Sequence, residues 1–307
     1  MTDPGWRDAW QGALYGSDGF FVRSAPAEHF RTSTALAPFP AAIRRLAERV
    51  DDALGHPDPF DVVDLGAGRG ELLLGLGAVP DRWRLTAVEL APDPGVGLTW
   101  TSVVPPLTGL LIAHEWLDNV PCEVLAHGRV VQVSASGEET LGAPASPAAL
   151  GWRDRWWPTG DRVEVGLARD QAWAAAVAQV QRGVAVAVDY GHLIGTRRPT
   201  LTGYRNGRQV APVPDGACDL TAHVAWDSCA ATTGGRLLRQ REALHELGVS
   251  AALPAWTGEV GAYASALQTA SQARTLLDPD GLGGFGWLVQ PVDCADPLAG
   301  VSGRLSL

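Results

Sequence analysis

The sequence predicts an α/β protein whose core is a doubly wound, mostly parallel sheet, and three runs carry that prediction. FDVVDLG (60–66), RLTAVEL (84–90) and LTGLLIAHE (107–115) are short, apolar and β-rich. None alternates with polar side chains, as expected of strands that helices cover on both faces. The first two are joined by ELLLGLG, which reads as a short helix, so about 30 residues hold a right-handed βαβ unit.

Taken in order, residues 1–40 are rich in Gly, Pro, Ser and aromatics and read as a loop-dominated lead-in with short helices. In AAIRRLAERVDDALG, Ile43, Leu46, Val50 and Leu54 recur at helical spacing, and Gly55 and Pro57 stop the helix. Residues 41–121 then form the βα core. CEVLAHGRVVQVSAS has two β-rich halves around His127-Gly128, the pattern of a hairpin outside the parallel core. With the Gly-, Ala-, Pro- and Trp-rich stretch 137–160, expected to be a loop, it makes residues 122–160 an insertion. Residues 161–307 resume the core. RDQAWAAAVAQVQRG places Trp173, Val177 and Val180 on one helical face, with Gly183 as its cap, and VAVAVDYGH follows as a strand. Residues 191–220 read as a long irregular stretch, of the kind that is usually functional. Helices are expected in AHVAWDSCAATT, QREALHELG and GAYASALQTASQARTLL, and a last strand near FGWLVQ.

With 307 residues, 46% of them hydrophobic, the chain can fill a substantial core. No apolar run approaches the roughly 20 residues of a membrane span. MTDPGWRDAWQG has neither a basic start nor a hydrophobic signal region, so the expected location is cytoplasmic. Cys122, Cys218, Cys229 and Cys294 are scattered without a CxxC pair, which points to reduced thiols rather than a zinc site or disulfide framework. A net charge of −10 argues against non-specific binding to nucleic acid or anionic lipid and leaves proteins and small molecules as the expected partners.

VVDLGAGRGEL sets Gly66, Gly68 and Gly70 between a buried strand and a helix start, where the backbone can turn sharply and approach a ligand. A dinucleotide fingerprint is GxGxxG. Here Glu71 stands at the last position, where a pyrophosphate would meet its carboxylate, so a less anionic nucleoside fits better. Glu89, ending the next strand, is placed to take both ribose hydroxyls. Together these residues make the nucleoside half of an S-adenosylmethionine (SAM) site; the alternative is a tight strand-to-helix turn with an incidental surface glutamate. HEWLDNVP lies at the carboxyl end of a buried strand, where open α/β sheets bind ligands. Glu115 and Asp118 there could hold a cationic substrate against the methyl donor, or cap a helix beginning near Trp116. DYGH (189–192) and DLTAH (219–223) bring two Asp and two His to the same region, but their spacing matches no familiar ligand motif, and no metal is expected.

These segments resemble the MidA-type, SAM-dependent methyltransferase family, which includes a complex I assembly factor acting as a protein arginine methyltransferase. HFRTS (29–33) is similar to the family's Phe-x-Thr-Ser segment, DLGAGRGEL to its glycine motif and LIAHEWLDNVP to its Asn-Glu-Phe-x-Asp-Ala-Leu-Pro block. GDRVEVG, VDYGH, PTLTGYR, PDGACDLTAHV and LLDPDGLGGFGWLV follow in family order over nearly the whole chain.

The resemblance implies a Rossmann-like class I methyltransferase domain over residues 1–307, with SAM as cofactor and an unidentified methyl acceptor, protein or small molecule. Carried over, it implies cofactor contacts from Gly66, Ala67, Gly68, Gly70, Glu89, Leu90 and His114, and a catalytic Glu115 and Asp118 facing the transferred methyl. Thr32, Asp189, His192 and His223 fall on the substrate side, with residues 191–233 as a substrate-side segment. The chain departs from the family at Thr34-Ala35, where Pro-Glu is usual, at His114 in place of Asn, and between Glu89 and Thr99, where a helix is shortened or lost. The expected function is therefore SAM-dependent methylation, with arginine of a partner protein as one acceptor. The alternatives are a SAM-binding scaffold that does not methylate and a small-molecule methyltransferase.

Overall fold

The computed structural model describes residues 2–23, 33–256 and 258–301. Two helices open the chain, α1 (Trp6–Tyr15) and α2 (Phe20–Arg23), and after a 3₁₀ turn at Ser33–Ala35 comes α3 (Pro38–Leu54). Helix α3 buries the predicted face, Ile43, Leu46, Val50 and Leu54, and stops at Gly55 in the left-handed region. The first half of the core follows as β1 (Phe60–Leu65), α4 (Glu71–Gly75), β2 (Trp83–Val88), β3 (Thr99–Thr101) and β4 (Leu107–His114). No helix lies between Glu89 and Thr99.

The chain then leaves the central sheet for β5 (Glu123–Ala126), β6 (Arg129–Val133), β7 (Glu139–Pro144), α5 (Pro147–Trp156) and β8 (Arg162–Val165). It returns through α6 (Leu167–Val177) and β9 (Val180–Asp189). Beyond these lie β10 (Gly191–His192), β11 (Thr202–Arg205), β12 (Arg208–Val210), β13 (Asp219–Thr221), β14 (Val224–Ala225) and α7 (Trp226–Thr233). The chain closes with β15 (Arg236–Arg239), α8 (Gln240–Glu246), α9 (Val260–Leu277) and β16 (Gly286–Val292).

The central sheet has the strand order β15-β16-β9-β4-β1-β2-β3. Strands β3, β2, β1, β4 and β9 are parallel; β16 is antiparallel to both its neighbours and is therefore the one reversed strand. This is the doubly wound, mostly parallel sheet that the sequence predicts. Its apolar runs serve two layers at once. Along β4, Leu110 and Ile112 join the layer under α3, α8 and α9, while Leu111 and Ala113 join the layer under α6 and α7. The order reverses between β1 and β4, which opens a crevice at their carboxyl ends.

Three sequence expectations are corrected. Residues 137–160 are not a loop: β7 pairs with β6, and Ser146 caps α5 by accepting from the Ala149 N–H, with Pro147 opening the helix. Gly183 is not a helix cap. Helix α6 ends at Val177, and Gly183 lies inside β9, where a Cβ would sit 1.9 Å from the Gly109 carbonyl oxygen of β4. Residues 191–220 are not irregular throughout, because β11 and β12 form a hairpin over Asn206-Gly207, both with positive φ, and β13 pairs with β11.

The hairpin predicted around His127-Gly128 belongs to a four-stranded sheet in the order β7-β6-β5-β8, which continues past residue 160 to Val165. Helix α1 packs Trp6, Trp10 and Leu14 against Val124, Val131 and Leu220 of β5, β6 and β13. Cys122, Cys218 and Cys229 are buried, Cys294 is half-buried, and all four are free thiols. Among the described residues, no helix is long and apolar enough to cross a membrane.

Candidate active site

A cavity of about 550 Å³ opens at the crevice between β1 and β4. Its floor is the glycine loop. Gly66, Gly68 and Gly70 all have positive φ, which lets the chain double back from β1 into α4. A Cβ on Gly66 would lie 2.7 Å from Cδ1 of Trp116, so the indole seats directly on the loop. The loop is tied to β2 by N–H donation from Gly66 and Ala67 to the Val88 carbonyl, at 2.9 and 3.3 Å.

Glu89, just past β2, closes one side. Its Oε2 accepts from the Gly68 N–H at 3.0 Å, and its Oε1 accepts from the N–H groups of Leu90 and Ala91 at 2.6 and 3.2 Å. Three backbone donors thus aim this carboxylate along the cavity edge. Leu90, about two-thirds exposed, adds an apolar wall.

The opposite wall is the turn after β4, which contributes Glu115, Trp116, Asn119, Val120 and Pro121. Glu115 has φ 49°, and its N–H still donates to the Val188 carbonyl of β9 at 2.8 Å. The strand ladder therefore holds the residue while its left-handed backbone swings the side chain into the cavity wall. Among the described residues its Oε1 is buried without a hydrogen bond, and Nε2 of His114 is 3.2 Å away. Burial first, and then the neighbouring Asp118 carboxylate, push the Glu115 pKa up to about 8, against the opposing backbone hydrogen bond from Ser33.

Behind Glu115 lies a cluster of buried carboxylates. Asp118 Oδ2 accepts from the Tyr190 hydroxyl and, at 2.7 Å, from Thr221 Oγ1, whereas Oδ1 has no partner. Asp189 accepts from the backbone N–H groups of Asp118 and Tyr190 at 3.1 and 2.9 Å. Asp219 accepts from Asn119 Nδ2 at 3.0 Å. Burial raises all three acids, and for Asp189 and Asp219 the charges of Asp118 and Glu115 raise them further. Arg169 is buried among them, yet its N–H groups go to the carbonyls of Asp118, Val120, Ala222 and His223.

Of the residues singled out from sequence, Gly66, Gly68, Glu89, Leu90 and Glu115 line the cavity. Ala67 and Gly70 support the loop from behind, Gly70 as the residue before α4. The expectation that Asp118 faces the cavity beside Glu115 is not met, because Tyr190 and Thr221 draw its carboxylate inward. His114 is also turned away: it continues the Leu110–Ile112 face of β4, and its ring meets Phe39 of α3 at 4.8 Å. Burial lowers its pKa to about 3, so the imidazole is neutral. His192 and His223, 5.9 Å apart and lowered by burial to about 3 and about 4, lie beyond Tyr190. Thr32 lies outside the described residues. Among those residues no group of three His, Cys, Asp or Glu side chains is arranged to hold a metal ion.

The sequence reading missed the wall built by the N-terminal helices. Gln11, Tyr15, Phe21 and Val22 line the cavity, and the Tyr15 hydroxyl donates to the Asn119 carbonyl at 3.4 Å. The helical spacing of Trp6, Trp10, Ala13 and Leu14 is the signal that a buried helix was there.

The cavity fits a nucleoside-bearing cation. Its glycine cradle would be filled by side-chain Cβ atoms, one carboxylate is held at the edge by three backbone donors, and another reaches the wall with a buried oxygen unpartnered.

Residues 83–239, just over half of the chain, match the family model described as "Putative S-adenosyl-L-methionine-dependent methyltransferase". No curated protein matches the sequence. Among solved structures the chain is similar to a COG1565 superfamily member from Burkholderia thailandensis bound to S-adenosyl-homocysteine. The identity is 20%, with 99% of this chain and 90% of that chain covered and a TM-score of 0.77. The native structure of an uncharacterized COG1565 superfamily protein from the same organism gives 21%, 99% and 89%, with a TM-score of 0.76. At these identities the two structures speak for the fold.

Proposed function

Since the chain belongs to the S-adenosyl-L-methionine-dependent methyltransferase family whose model it matches, we propose that its cavity holds SAM and that it methylates a nitrogen of a partner protein, an arginine guanidinium being the favoured acceptor. The observation that carries this reading is Glu115, a cavity-wall carboxylate with an unpartnered oxygen, backed by Asp118, Asp189 and Asp219. Such a wall favours cations on both sides of the reaction. The resemblance of HEWLDNVP, VDYGH and DLTAHV to MidA-type blocks supports the protein-arginine acceptor, and the net charge of −10 disfavours nucleic acid. Cytoplasmic action belongs to the same reading.

In this reading Gly66 and Gly68 let the backbone approach the cofactor, and Glu89 takes the ribose hydroxyls, already aimed by three N–H groups. Trp116 and Leu90 cover its apolar parts. When bound, SAM supplies an electrophilic methyl group on a sulfonium. The residues need not activate it further, so most of the rate comes from holding the acceptor at attack distance. A guanidinium, basic far above neutral pH, stays protonated until transfer is under way. Glu115 orients it through charge-assisted hydrogen bonds and receives its proton. Asp118 acts from behind as a positioning residue.

A small-molecule acceptor is the second reading, favoured by the apolar wall of Phe21 and Val22 and by Ala35 where MidA-type relatives carry an acid. Incubation with methyl-labelled SAM and a cell lysate tests both. Label in protein supports the first reading, label confined to the low-mass fraction supports the second, and no transfer by a protein that binds SAM leaves a scaffold.

A further inference from the structure

We propose that Glu115 makes the cavity charge-selective: SAM, with its sulfonium cation, binds with loss of one proton from Glu115, and the product S-adenosylhomocysteine (SAH), which has no sulfonium and no net charge, binds without that loss, so preference for donor over product rises with pH. The inference rests on the SAM reading of the cavity and adds what distinguishes its two occupants. Binding balances as protonated Glu115 plus the sulfonium cation giving the Glu115 carboxylate, the bound cation and one proton released to solvent. Glu115, now ionised, receives the proton that the acceptor nitrogen gives up as its bond to the methyl carbon forms. The carbon–sulfur bond breaks with its electron pair left on sulfur. Protonated Glu115 then faces a neutral thioether, and the ion pair between Glu115 and the sulfonium is gone.

The geometry supports this from every side. On β4, His114 is neutral and its Nε2 is 3.2 Å from Glu115 Oε1, but the two form no hydrogen bond. Asp118 follows on the same turn, Asp189 comes from β9 and Asp219 from β13, and all three present negative or proton-holding groups. The Tyr190 and Thr221 hydroxyls are committed to Asp118. From α6, Arg169 spends its N–H groups on carbonyls. The Ser33 backbone gives Glu115 a hydrogen bond, and Glu89 and Arg69 line the cavity from the other edge. Among the described residues no arginine is paired with Glu115, and a cation in the cavity supplies an ionised Glu115 with a counter-charge. A space of 550 Å³ is about 10 Å across, comparable with the Debye length at physiological salt, so a charge brought into it acts on Glu115 in addition to the fixed charges of Arg69 and Glu89 at its edge.

Isothermal titration of the whole protein with SAM and with SAH, at pH 6.5 and 8.5 and in buffers of differing ionisation enthalpy, tests the inference. Whatever the ligands' own groups contribute to the affinity ratio is the same in Glu115→Gln, so the difference between parent and variant reads Glu115 alone. With Glu115 titrating near pH 8, the ratio of SAM to SAH affinity should rise by about tenfold or more between the two pH values. At pH 7 SAM should release close to one proton more than SAH. In Glu115→Gln the rise with pH should be lost, leaving only what the ligands' own groups contribute, while SAH still binds. A flat ratio with both ligands bound overturns the proposal, and so does a ratio that keeps its pH dependence in Glu115→Gln. If neither ligand binds at either pH, the SAM reading itself is overturned. The proton count of the unmodified protein decides between these outcomes even where the variant fails to fold.

Discussion

The backbone N–H of Gly68 donates to Oε2 of Glu89 at 3.0 Å, so the glycine loop after β1 and the acid after β2 form one unit before any ligand arrives. The same carboxylate accepts from Leu90 and Ala91. Replacing it removes both the aim of the loop and the acceptor offered to a ribose. Glu89→Ala should therefore weaken SAM binding by at least about tenfold, the equivalent of one charge-assisted hydrogen bond. The secondary structure should persist, which titration calorimetry and far-UV circular dichroism together can check.

Gly66 meets Trp116 across a gap with no room for a Cβ. Gly66→Ala combines that 2.7 Å contact with a φ of +77° that an L side chain rarely adopts. A loss of about 1–2 kcal/mol is expected, or a fall of several degrees in Tm for a chain of this size. SAM binding should fall with it. A variant as stable as the parent would show that the indole does not seat on the loop.

Asp118 lies behind the wall rather than in it. Asp118→Asn should leave SAM affinity within about threefold, because the side chain does not line the cavity, while methyl transfer falls by about an order of magnitude as Glu115 loses the neighbouring charge that raises its pKa and becomes a weaker base. Tyr190→Phe leaves the carboxylate short of a donor and should cost about 1–3 kcal/mol of stability. Equal loss of binding and turnover in Asp118→Asn would place that carboxylate at the cofactor instead.

The buried acids predict an unusual pH response. Burial, then Glu89 and Glu71, push Asp64 at the end of β1 up to about 8, and Glu115 is also raised to about 8. Between the unfolded values near 4 and these native values, the native state holds protons that the unfolded chain has released, so these acids make stability fall as pH rises. Below about pH 6.5 the buried neutral histidines His114, His192 and His223 act in the opposite sense, because the unfolded chain binds protons that the native state refuses. The window from about 6.5 to 8 is left to the acids. There Tm should fall with pH, each acid contributing up to about 2 kcal/mol. Asp64→Asn should flatten the slope, and a Tm rising through this window would contradict the burial of these carboxylates.

Much of the central sheet was legible because its strands are apolar on both faces, a pattern that surface elements do not show. The glycine triplet and Glu89 were legible because each sits at a strand end, where spacing fixes position. His114 and Asp118 were harder to place. Strand alternation sends His114 to the α3 face with Leu110 and Ile112, where its ring meets Phe39 and its Nε2 lies 3.2 Å from Glu115 Oε1, so it backs the Glu115 carboxylate and does not line the cavity. The inward turn of Asp118 depends on Tyr190 and Thr221, 72 and 103 residues away in sequence. Tyr15 reaches the cavity for the same kind of reason: α1 docks on β5, β6 and β13, pairings that no local signal near the N-terminus contains. The helix α5 within 137–160 was legible in principle, through Ser146-Pro147, but the surrounding Gly and Ala obscured it.

The most direct test of the whole account is titration of the purified protein with SAM beside a Gly68→Val variant. Micromolar binding by the parent is expected, and its loss in the variant, whose side chain would enter the cradle at a φ of +58° and disturb the N–H that aims Glu89. A well-folded parent that does not bind SAM, or a variant that binds it as tightly as the parent, would contradict the assignment of this cavity to the methyl donor.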